Sequence, residues 1–230
     1  MQMNMKNLVL SLLAISLLLF IFIWTSEKPE EKIVAEAMWV SSSKTIVELA
    51  AETDVIVRVK VESVDPTRLF VQQLPVSAKP QDDYSEEPVW SGENEEIILP
   101  FTDTNFTILE VYKGDKTPGQ LITVAQTGGL LPAESNWPGR LFEFSEDPLY
   151  KPGEEYILFL WDASGDRVHA PERELYLVMT PFARYRIEEN GTVYNYSDTT
   201  NPSSGSGLPI NIEELEKQIT FALNTLAQDG

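Results

Sequence analysis

Asp54-Val-Ile-Val-Arg-Val-Lys-Val-Glu-Ser-Val64 is the stretch that sets the fold class. Val57, Val59 and Val61 fall on one side, Arg58, Lys60 and Glu62 on the other. Successive strand side chains point to opposite faces, so this is a half-buried strand of an antiparallel sheet or barrel. Just before it, Thr45-Ile-Val-Glu48 has the form of a capping box. It predicts a short helix over about residues 45–52, with Ile46, Leu49 and Ala50 on one side.

Downstream, the same periodicity returns. Thr104–Tyr112 reads as a second strand with apolar groups on both faces, turning at Lys113-Gly-Asp115. Gln120–Gln126 is a third, ending at Gly128-Gly129. Glu155-Tyr-Ile-Leu-Phe-Leu-Trp161 is nearly continuous in apolar residues, which predicts a central strand buried on both faces. Leu175–Met179 and Arg184–Ile187 follow, and Glu189-Asn-Gly191 is a hairpin turn before Thr192–Tyr196. Asn211-Ile-Glu-Glu214 caps a last helix, in which Ile212, Leu215, Ile219, Leu223 and Leu226 form one apolar stripe. Two stretches interrupt this order. Residues 65–100 hold five prolines, with seven acids and no basic residue from Asp82 to Glu96, and predict a long looped acidic insert. Residues 130–152 predict a loop rich in proline and aromatics.

Upstream, residues 8–24 form a run without a charge. As a helix it is about 25 Å long, at the short end of what crosses a bilayer. Lys6 precedes it, Trp24 ends it at the interface, and mixed charge follows. This predicts a signal-anchor over residues 1–25, a polar tether over 26–40 and an extracytoplasmic domain over 41–228. The alternative is a secreted protein cleaved after Ala37, since Ala35-Glu36-Ala37 has small-x-small form. All 36 acids and 16 of the 17 basic residues follow the run, a balance of −20 that repels nucleic acid and anionic lipid.

The order of short helix, alternating strand, strand into Tyr-Lys-Gly and strand after Gly-Glu-Glu-Tyr resembles the netrin-like OB fold of tissue inhibitors of metalloproteases. It is also similar to uncharacterised secreted bacterial domains. Glu52–Val61, Phe106–Gly114 and Gly153–Leu160 carry the likeness, which spans about residues 44–180. The resemblance implies a mainly β, OB-like antiparallel barrel of five to six strands, here with an N-terminal and a C-terminal helix. The family's inhibitors chelate zinc through an N-terminal cysteine. This chain has no cysteine, so that mechanism is not carried over.

The absence of cysteine also removes disulfides, thiolate metal sites and cysteine nucleophiles. The single histidine, His169, lies in a loop beside Ala170-Pro171. No EF-hand spacing and no phosphate-binding glycine loop is present, and no cofactor or metal is expected. Glu143, Glu146, Asp147, Glu154 and Glu155 are candidates for a carboxylate pair, which would make the chain a cell-envelope hydrolase. The most suggestive surface is the loop after Gly129, where Trp137, Arg140 and Phe142 fit contact with an envelope protein or glycan. The plainer alternative has Trp137 and Phe142 plugging the barrel end. The expectation is therefore a membrane-anchored binding domain, with the hydrolase and a peptidase-inhibitor-like module as alternatives.

Overall fold

The computed structural model describes residues 32–35, 45–77, 90–133, 135, 137–145, 147–165, 174–178, 180–195 and 210–229. In chain order its elements are β1 (Lys32–Ala35), α1 (Ile46–Glu52), β2 (Val55–Val64), β3 (Arg68–Ser77), β4 (Trp90–Lys113), β5 (Leu121–Thr127), β6 (Gly129–Leu130), β7 (Leu141–Phe144), β8 (Glu155–Asp162), β9 (Tyr176–Val178), β10 (Arg184–Ile187), β11 (Thr192–Asn195), β12 (Ile210–Asn211) and α2 (Ile212–Asp229). The fold is mainly β, as the alternation of residues 54–64 requires.

Five strands close on themselves in the order β8-β2-β4-β5-β9, with β9 pairing back to β8. All these pairings are antiparallel except β5 with β9. The edge of β8 away from β2 is shared: Leu160–Asp162 pair with β9, and Glu155–Leu158 pair with β10. β8 is nearly continuous in apolar residues because Tyr156, Leu158 and Leu160 face the barrel interior while Ile157 and Phe159 face the helices. Val55, Val57, Val59 and Val61 of β2 fill the barrel with Phe106, Ile108, Ile122, Val124, Tyr156, Leu158, Leu160 and Tyr176. Full burial of each such side chain is worth about 1.5–3 kcal/mol.

A second layer lies outside the barrel. Ile56, Ile157 and Phe159 point outward and are covered by Leu49 and Ala50 of α1 and by Leu215, Ile219 and Ala222 of α2. The capping box of α1 is formed: Thr45 Oγ1 accepts from the Glu48 N–H, and the Glu48 carboxylate accepts from the Thr45 N–H at 2.7 Å. Asn211 Oδ1 accepts from the Glu214 N–H at 2.8 Å, the cap expected for α2.

Three stretches differ from expectation. The acidic insert over residues 65–100 contains two strands: β3 pairs antiparallel with the first half of β4 from Arg68↔Phe101 to Ser77↔Trp90. Among the described residues β3 pairs only β4, and an edge strand tolerates proline such as Pro75. The tether over residues 26–40 contributes β1, which pairs in parallel with β7 from Lys32↔Leu141 to Ala35↔Phe144. Four residues carry too little periodicity to read alone; the strand exists through its non-local partner. The loop over residues 130–152 holds the β6–β7 hairpin, completing a small sheet in the order β1-β7-β6. Among the described residues no helix is long and apolar enough to cross a membrane. The expected anchor over residues 8–24 lies outside them, as does His169.

Candidate functional site

Two glycines seat the β6–β7 hairpin against the barrel. The Gly128 N–H donates to the Pro100 carbonyl at 2.8 Å, and Thr102 Oγ1 donates to the Gly128 carbonyl at 2.8 Å. Thr102 and Thr67 hydroxyls lie 3.2 Å apart. A Cβ on Gly129 would stand 2.1 Å from Thr67 Oγ1 and 2.3 Å from Thr102 Oγ1, at a φ of +140°. Only glycine fits there.

The hairpin narrows through Leu131, whose N–H donates to the Arg140 carbonyl at 2.8 Å and whose carbonyl accepts from the Gly139 N–H at 2.8 Å. Its tip ends in Trp137-Pro138-Gly139-Arg140. The Arg140 N–H donates to the Trp137 carbonyl at 3.3 Å, and Gly139 has φ +73°. Proline second, a positive-φ glycine third and a bond from first to fourth residue make this a type II turn. Trp137 is held at its first position with 55% of its surface exposed.

Of the three residues singled out in the sequence, Trp137 and Arg140 therefore open and close one turn. Phe142 lies two residues further, half-buried in β7 and packed edge-on against Phe144 at 5.5 Å. The plug of the barrel is Tyr150, which is buried between Phe106 at 4.9 Å and Tyr156 at 5.0 Å. Burial thus falls on one aromatic of this segment and exposure on another.

Among the described residues, the carboxylates considered for hydrolysis are each tied to a partner. Glu143 is buried and pairs with Lys32 of β1. Glu155 accepts from Arg58 Nη2 at 2.9 Å. Glu154 accepts from the Tyr156 hydroxyl at 2.6 Å and the Lys151 N–H at 3.1 Å, with Arg186 at 3.7 Å. Glu154 and Glu155 border an open cleft of about 590 Å³, together with Arg58, Arg186, Glu188 and Glu189. Arg186 also pairs with Glu188. Glu146 lies outside the described residues. Among the described residues no group of three or more His, Asp and Glu side chains is arranged to hold a metal.

Asp147 belongs to a centre the sequence did not disclose. Arg184 of β10 is 1% exposed and donates to Asp147 Oδ1 at 2.8 Å and to the Pro148 carbonyl at 2.7 Å. Its guanidinium lies 4.5 Å from the Tyr150 ring centre and 5.5 Å from that of Tyr156. Gln126 Nε2 donates to the carbonyls of Asp147 and Pro148 at 2.9 and 3.1 Å. Burial pushes the Asp147 carboxyl up from its ordinary value, while the Arg184 charge pulls it back. This centre ties the segment after β7 to the barrel, and so fixes the base from which the hairpin projects. An arginine and an aspartate 37 positions apart give no local signal.

On the opposite rim, Lys116 pairs with Glu174 at 3.0 Å and lies 5.5 Å from the Tyr176 ring centre. The Tyr176 hydroxyl donates to Glu174 at 2.8 Å. Burial, chiefly, pushes that phenol up to about 12. Its hydrogen bond with Lys116 and the neighbouring Glu174 hold the lysine above its usual range.

Comparison with protein-family models, curated proteins and solved structures finds no match to this chain.

Proposed function

We propose that this chain is an extracytoplasmic binding module, anchored by residues 8–24, with an OB-like barrel as scaffold and the β6–β7 tip as its contact surface. The observation that carries the reading is the exposed Trp137 at the first position of a type II turn. A large apolar ring standing in water on a stiff turn loses little entropy on docking and gains much burial. The resemblance to netrin-like domains supports the OB-like assignment, and the closed five-stranded barrel is compatible with it.

Retention of the anchor is supported by β1. A cut after Ala37 would strip β1 from β7 and remove Lys32 from the buried Glu143. The hydrolase alternative is weakened by the partners of Glu143, Asp147, Glu154 and Glu155, since acid–base work needs a carboxylate available to substrate. A domain carrying −20 favours a basic or neutral partner and binds it less tightly as salt rises.

Capture from envelope extract tests the reading, with a soluble fragment that starts at residue 26 so that β1 is kept. Wild-type protein should retain an envelope component that Trp137→Ala and Arg140→Ala lose. Equal capture by all three would reject the tip as the contact surface.

A further inference from the structure

Two side chains at one end of the barrel carry polar atoms that the protein itself does not satisfy. Gln126 of β5 is 6% exposed and Thr104 of β4 is 1% exposed. Among the described residues neither Gln126 Oε1 nor Thr104 Oγ1 has a hydrogen-bond partner, and both atoms are buried. Turning the Gln126 amide over does not help. Its Nε2 donates to the carbonyls of Asp147 and Pro148, and a flipped amide would set Oε1 against those two acceptors. A buried polar group without a partner is costly, so such groups are paired with protein or with ordered water.

Strand register brings the two side chains to one face. Thr104 pairs with Val124 and Thr102 with Gln126, so Thr104 and Gln126 are diagonal neighbours across β4 and β5. Val124 belongs to the barrel core, and strand residues two positions apart share a face. Thr104 and Gln126 therefore both face inward. Diagonal neighbours lie about 7 Å apart at the backbone and less at their side chains. A small molecule making two hydrogen bonds of about 2.8 Å spans about 5.6 Å between its partners. Such a guest must donate to Oε1, which only accepts, and can donate to or accept from the hydroxyl. The charged neighbours are already matched, Asp147 by Arg184 and Glu143 by Lys32, so the guest is neutral. Water meets these conditions of size, donor and charge.

We propose that one water molecule is built into this end of the barrel, bridging Gln126 Oε1 and Thr104 Oγ1. It holds the oxygen end of the amide while the nitrogen end holds the Asp147 and Pro148 carbonyls. The tie between β5 and the segment after β7 thus runs on through the water to β4.

Oxygen-17 magnetic relaxation dispersion of the solvent counts long-lived internal waters in the full chain. Proteins hold several such waters, so the difference between variants is what is read. Thr104→Val keeps the shape of the side chain and removes the hydroxyl; Gln126→Met keeps the length and removes the amide. Each variant should lose one long-lived water relative to wild type. The double variant should also lose one and not two, because both side chains hold the same molecule. An unchanged count in Thr104→Val, or a loss of two in the double variant, would overturn the bridge. Should a variant fail to fold, a high-resolution crystal structure of the wild type decides. A density peak within hydrogen-bond distance of both atoms is the expected result. No peak there, or a direct bond between the two side chains, would overturn the proposal.

Discussion

Gly129→Ala should be among the most damaging single-methyl additions to this chain, and the structure sets its size. The new Cβ would meet Thr67 Oγ1 at 2.1 Å, Thr102 Oγ1 at 2.3 Å and Thr67 Cγ2 at 2.6 Å. Thr102 is 2% exposed and holds the Gly128 carbonyl, so it has little room to give. Overpacking of this kind costs about 1–3 kcal/mol. The φ of +140° adds roughly another 1–2 kcal/mol for a residue with a Cβ. The expected loss is about 3 kcal/mol, which lowers the melting temperature by roughly 6–12 °C in a chain of this size. Gly139→Ala is the control: its φ is +73°, but nothing lies within 4 Å of the added methyl. It should cost only about 1–2 kcal/mol, the left-handed strain alone. Thr67→Ala in the Gly129→Ala background removes two of the three close contacts and should return part of the loss, a coupling measurable by a double-mutant cycle. Calorimetry or thermal circular dichroism reads these variants beside Thr67→Ala alone and the wild type. Equal melting of Gly129→Ala and Gly139→Ala would refute the proposed seating of the hairpin on Thr67 and Thr102.

Other substitutions test the remaining parts. Val59→Asp puts a charge at a site with no exposure, and chemical denaturation should show a loss of several kcal/mol; an unchanged unfolding midpoint would reject the register of β2. Arg184→Ala removes a buried guanidinium and leaves the Asp147 carboxyl without its counter-charge, and should cost about 3 kcal/mol in urea unfolding at pH 7. Because burial raises the folded-state value of Asp147, that carboxyl makes the fold less stable as pH rises from about 4 through its folded value. An Asp147→Asn variant should lack this component of the pH slope. At alkaline pH the sign for Tyr176 is clear: a phenol pushed from 10.0 to about 12 in the fold contributes stability below pH 10 that is lost as pH climbs towards 12. Tyr176→Phe should flatten that decline in pH-dependent denaturation, and an unchanged decline would reject the cluster with Glu174 and Lys116.

The barrel was legible where one strand face is dry and the other wet, or where both are dry. Val57, Val59 and Val61 announce β2, and the unbroken run Tyr156–Leu160 announces a strand with neighbours on both edges and packing on both faces. The two caps were legible because their hydrogen bonds join residues three apart. β1 and β3 were not. Each owes its strand state to a distant partner, and Pro75 within β3 and the acids in the facing part of β4 argued for a loop. Trp137, Arg140 and Phe142 were singled out by composition, as aromatics with an arginine in one loop, and that Trp137 and Arg140 share a turn follows only from the path of the chain. Composition could not tell Tyr150 from Trp137, because both are large aromatics and only the path of the chain decides which enters the barrel. The Arg184–Asp147 centre was hidden for the same reason: its members meet only when β10 folds against β8.

The claim on which the functional reading depends is that Trp137 is presented to solvent and supports no core. Thermal unfolding of the Trp137→Ala protein measures it. An exposed ring on a preformed turn predicts melting close to wild type, since surface changes stay within about 0.5 kcal/mol. A fall of about 3–5 kcal/mol, the loss typical of a buried tryptophan, would contradict it and would place the ring in the barrel end.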